Sequence, residues 1–99
     1  MQKMMELQPN GRQKSFYGKA KVYWNPRAGM WILRSYNTDV CGIDVQGKIY
    51  RFWDDYSATT MKHVNAFCTQ FGIPALSKRD WENLPVDREI LVRYHNFVA

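Results

Sequence analysis

Two apolar periodicities divide the chain. Between residues 16 and 53 apolar side chains recur at every second position, and between 61 and 71 at every third or fourth. The first spacing belongs to half-buried strands and the second to an amphipathic helix. Phe16, Ala20, Val22 and Trp24 alternate with Tyr17, Lys19, Lys21 and Tyr23. This predicts a strand over 16–24 whose second set of side chains points outward. Asn25-Pro26-Arg27-Ala28-Gly29 reads as a turn, 30–36 as a second strand, Asn37-Thr38-Asp39 as a turn and 40–45 as a third strand. Gln46-Gly47 fits a two-residue hairpin loop into a fourth strand over 48–53. That register places Ile43 opposite Tyr50 and Cys41 opposite Phe52, with all four on one core face.

The change of period comes at Ser57, whose hydroxyl suits a helix N-cap. Met61, Val64, Cys68 and Phe71, with Phe67 beside them, form one stripe. Gly72 ends the helix and Pro74 keeps it from resuming. Ser77, with Asp80 three residues on, predicts a second, short helix that turns Trp81 and Leu84 inward and stops before Pro85. The tail over 87–99 fits both periods, and its β-branched residues favour a strand. Residues 1–14 are polar, broken by Pro9-Asn10-Gly11, and read as a flexible arm. The expectation is a single α+β domain over 15–99. It is an antiparallel meander of about four strands, packed by one main helix and a short second one.

Charge alters this picture more than composition does. The net charge of +5 is concentrated at one end. Residues 1–38 carry Lys3, Arg12, Lys14, Lys19, Lys21, Arg27 and Arg34 against Glu6 alone, whereas 39–99 sum to −1. On the outward side of the first strand, lysines alternate with tyrosines. If the first hairpin pairs Trp24 with Met30, Trp31 joins that face. Tyr17, Lys19, Lys21, Tyr23, Arg27, Trp31 and Arg34 are therefore the candidate binding residues. A face of this kind suits RNA or single-stranded DNA, by stacking and phosphate contact. It also suits a protein partner, since Tyr, Trp and Arg anchor interfaces.

Candidate chemistry is sparse. No phosphate loop, zinc motif or nucleophile elbow occurs, so neither cofactor nor metal is expected and the protein is read as a non-enzyme. His63, near Thr59 and Thr60 on the expected helix, is the one catalytic candidate; packing against the sheet is the simpler reading. Asp54 and Asp55 sit where they favour a helix start and discourage an external phosphate. Cys41 and Cys68 lack metal-ligand spacing and are expected to stay reduced and buried. Neither a secretory leader nor an apolar run of membrane length is visible, so a cytoplasmic place and no membrane contact are expected.

Four segments, SFYGKAKV, LRSYNTDV, FWDDYSATTMKHVNAF and SKRDWENLPV, carry a resemblance. Together they resemble small proteins of bacteriophages and mobile elements in Gram-positive bacteria. The matching positions are Ser35, Tyr36, Asn37, Thr38, Trp53, Tyr56, Ser57, Ala58, Thr59, Thr60, His63, Phe67, Trp81 and Leu84. The resemblance spans roughly residues 15–86 and brings no established activity with it. It implies work in the cytoplasm of a bacterial host, by binding a host protein or nucleoprotein complex such as a CRISPR effector. A chain of net charge +5 is a poor mimic of duplex DNA, so an anti-CRISPR-like inhibitor of this composition is expected to cover a protein surface or hold a guide RNA.

Overall fold

A computed structural model describes residues 4–7, 16, 18–54, 57–87 and 89. Tyr17, Asp55 and Tyr56, the stretch 8–14 of the expected arm, and the tail from Arg88 on (Glu89 excepted) lie outside the described residues.

The sheet is an antiparallel meander of five strands in chain order. β1 is Met5–Glu6, β2 Ala20–Asn25, β3 Met30–Ser35, β4 Thr38–Asp44 and β5 Ile49–Arg51. The fifth strand comes from the stretch read as an arm. Met5 pairs with Val22 and Glu6 with Lys21, while Leu7 is fully buried. The expectation of a flexible arm therefore does not extend to Met5, Glu6 and Leu7. Met5 and Leu7 alternate over too few residues to set a period, which is why the alternation did not reveal the strand.

The turns set the register, and two differ from expectation by one residue. In the β2–β3 loop, Asn25 Oδ1 accepts the N–H groups of Arg27 at 3.0 Å and Ala28 at 3.1 Å. Gly29 closes the turn with φ +69°. This cap pairs Asn25 with Met30, so Trp24 faces Trp31. The β4–β5 loop holds three residues, Val45, Gln46 and Gly47, and Gly47 takes φ +85° as the bulge position. Ile43 then pairs with Ile49, Gly42 with Tyr50 and Cys41 with Arg51. A one-residue shift exchanges faces. Tyr50 and Phe52 leave the main core, and Arg51 enters it.

Ser57 and Ser77 cap the helices as their hydroxyl chemistry predicts. Ser57 Oγ accepts from Thr60 N–H at 3.0 Å at the start of α1, Ala58–Gln70. Ser77 Oγ accepts from Asp80 N–H at 3.1 Å at the start of α2, Lys78–Asn83. Each such cap contributes about 1 kcal/mol. α1 buries Met61, Val64, Phe67 and Cys68 on one face of the sheet, against Ala20, Val22, Leu33, Val40, Cys41 and Ile43. Trp81 of α2 completes this core. Val40 and Cys41 both reach it because β4 is irregular there: Arg34 pairs with Asp39 and Leu33 with Cys41, leaving Val40 as the extra residue.

The opposite face has its own small core of Tyr23, Met30, Ile32 and Phe52, flanked by Ala28 and Tyr50. The apolar run at the start of β3 is thus explained by a strand buried on both sides. Gly42 sits beneath this cluster. A Cβ there would lie 2.6 Å from Met30 Sδ and 3.2 Å from the Phe52 ring.

Candidate functional site

The expected basic–aromatic residues do not share one face. Tyr23 is buried, and its hydroxyl donates to Asp39 Oδ2 at 2.8 Å. Burial and the Asp39 charge push its pKa up. Trp31 is half-buried on the α1 side, 5.3 Å from the Trp24 ring and 5.7 Å from Phe71. Arg34 is half-buried, donates to Asn37 O at 3.1 Å and lies 3.6 Å from Asp39 Oδ1. Lys21 is exposed on the side opposite α1, and Arg27 is exposed in the β2–β3 loop. Lys19 is exposed just before β2. Of the expected alternation β2 holds Lys21 and Tyr23, but the second apolar cluster takes up Tyr23 and the hairpin register turns Trp31 inward.

A different group converges where the β3–β4 turn meets the start of α1. Ser35 Oγ and His63 Nδ1 are 2.7 Å apart, and both side chains are buried. Phe16 packs edge-on against the imidazole at 4.5 Å. Tyr36 approaches it from the other strand end at 5.9 Å, and Lys19 Nζ lies 5.8 Å from the Tyr36 ring centre. Ser57 Oγ donates to Thr60 Oγ1 at 3.0 Å. Beside these groups opens a small cleft of about 80 Å³, lined by Ser35, Tyr36, Thr38, Val40, Trp53 and Thr60.

Tyr36 is the unusual member. It occupies the first position of a two-residue turn with φ +56°, the only non-glycine residue of positive φ among the described residues. Glycine is the residue such a position favours in a tight hairpin. The side chain is nevertheless a large ring, 53% exposed.

His63 is arranged as a structural imidazole. Burial first, and the Lys19 charge second, lower its pKa below the ordinary value. An imidazole so weakened is a poorer base, and the hydroxyl beside it is itself enclosed. The sign of the pH effect follows. With the folded-state pKa depressed, the stabilisation is complete above the ordinary imidazole pKa and fades as pH falls through that value toward the folded one. Denaturant unfolding at about pH 7.5 and about pH 5.5 is expected to show a loss at the lower pH that His63→Gln largely removes. Unchanged or greater wild-type stability at the lower pH would contradict the assignment.

Among the described residues no group of three or more His, Cys, Asp or Glu side chains could hold a metal ion. Neither described helix is long and apolar enough to cross a membrane. Cys41 and Cys68 are free and buried. Burial raises both thiols, Cys68 to about 11, which leaves them unreactive.

Fold and corner together define a small α+β domain, a five-strand meander under one helix with a cleft at the helix start. The chain belongs to the family of unknown function DUF8033, whose model matches residues 5–83. The match starts at β1 and ends with α2, so Met5 and Leu7 fall within the family unit. No curated protein and no solved structure matches the chain. Ser35, Tyr36 and Thr38 of the SYNT segment meet Thr60 of the SATT segment, far away in sequence, at the cleft, and these segments are the sequence signal for this corner. Arg51, buried and fully engaged, carried no such signal.

Proposed function

We propose that this protein is a small non-enzymatic binding protein of phage or mobile-element origin. It captures a host protein or ribonucleoprotein, in the manner of anti-CRISPR-like inhibitors of host defence, with the contact centred on Tyr36. One observation carries the placing of the contact: an exposed aromatic ring held on a backbone conformation that costs a non-glycine residue about 1 kcal/mol. The fold leaves more than half of this residue exposed, which an aromatic interface anchor needs. Origin and target class rest on the resemblance of the SYNT and YSATT segments to phage proteins.

Affinity capture from a Gram-positive host lysate tests the reading, with Tyr36→Ala as the control. Alanine keeps a side chain at the same φ, so the turn is unchanged while the ring is lost. The expected result is a defined complex recovered by the wild type and reduced at least about tenfold by Tyr36→Ala. Recovery that ignores Tyr36, or no recovery, overturns it. A second reading, direct binding of single-stranded nucleic acid, is favoured by Lys19 beside the Tyr36 ring. It predicts affinity that falls steeply with salt and is removed by Lys19→Glu/Lys21→Glu.

A further inference from the structure

Resting on that reading, we infer that the cleft beside Tyr36 is a socket for one apolar side chain, carried on an acidic peptide segment of the partner. Its size sets the class of occupant. Sites for whole small molecules enclose about 300–1,000 Å³. This cleft, at about 80 Å³, holds one side chain and no more.

The lining sets the chemistry. Val40 and the rings of Tyr36 and Trp53 supply apolar walls. Two of the four hydroxyl residues that line it are engaged inside the protein, Ser35 with His63 and Thr60 with Ser57. A nucleobase seated here would bury hydrogen-bonding edges with few partners, which is costly; a phenyl or leucyl side chain carries no such edges. Among the described lining residues none is a carboxylate or an ammonium, so an ionised side chain meets no counter-charge from them.

Charge at the rim sets the context of the segment. Lys19 is exposed and lies against the ring that forms one wall. A carboxylate next to the anchoring residue meets Lys19.

The probes are blocked pentapeptides titrated into the full chain at low salt and followed by amide NMR shifts. Asp-Glu-Phe-Glu-Asp is expected to move the amides of Lys19, Tyr36, Thr38 and Thr60 and to saturate. Its alanine analogue, Asp-Glu-Ala-Glu-Asp, is expected to bind about tenfold more weakly, and Lys19→Glu to weaken the phenylalanine peptide by a similar factor. Equal binding of the two peptides overturns the socket, and so does the absence of shifts at these amides. Tighter saturation of the same amides by octauridylate overturns the partner class in favour of RNA. Tyr36-dependent capture of a host complex, together with failure of the peptides, leaves the binding function standing and removes only this inference.

Discussion

Arg51→Ala is expected to lower the unfolding free energy by about 3–5 kcal/mol, a large part of what a domain of this size holds. Arg51 is 7% exposed, and its guanidinium donates throughout its fork. Nε reaches Trp53 O at 2.9 Å and Nη2 reaches Asp54 O at 2.9 Å. Nη1 lies 3.2 Å from both Trp81 O and Leu84 O. Its carbon lies 4.9 Å from the centre of the Trp81 ring. The acceptors around α2 include carbonyls that a helix end leaves unpaired. Arg51 thus joins β5, the segment that follows it and the end of α2. Alanine removes these donors, with Trp81 O keeping only the Leu84 N–H at 3.2 Å, and each bond to a charged donor is worth about 1.5–3 kcal/mol, though not additively. Arg51→Lys is expected to recover only part, because an ammonium cannot span the same acceptors. Urea unfolding measures both; a loss below about 1 kcal/mol for alanine would show that the fork is dispensable.

Gly42→Val is expected to cost about 3 kcal/mol, and Gly42→Ala somewhat less, through overpacking of the second cluster. The reason is space alone: the new Cβ would sit 2.6 Å from Met30 Sδ with the Phe52 ring 3.2 Å away. A double-mutant cycle isolates that contact. Met30→Ala alone opens a cavity and costs about 2–3 kcal/mol. Combined with Gly42→Ala, the total is expected to fall short of the sum by about 1 kcal/mol, since the methyl enters the space that the thioether leaves. Strict additivity would mean that the two residues do not meet.

The sequence was most informative where local chemistry decides structure. Ser57 and Ser77 had to cap something, and the Met61, Val64, Cys68 and Phe71 stripe had to face a core. It was least informative where one residue of loop length decides everything downstream. Val45 joins Gln46 and Gly47 in the loop, and this alone moves Tyr50 and Phe52 to the far face and turns Arg51 inward. The Asn25 cap does the same for Trp31. The candidate binding face depended on that register, so it divided. Lys19 and Lys21 are exposed as expected, whereas Tyr23 and Trp31 are spent on packing. Tyr36 lay inside a recognised motif, but its significance comes from a dihedral angle and an exposure that no pattern of polar and apolar residues encodes.

The proposed contact requires that the Tyr36 ring serve a partner and not the fold. The unfolding free energy of Tyr36→Gly tests it most directly. Glycine relieves the positive φ but forfeits the ring contacts to His63 and Lys19. Stability equal to the wild type, or higher by up to about 1 kcal/mol, is expected, which is a rise of about 4–8 °C in Tm at most. A loss of more than about 1 kcal/mol would make the ring part of the scaffold and contradict the claim.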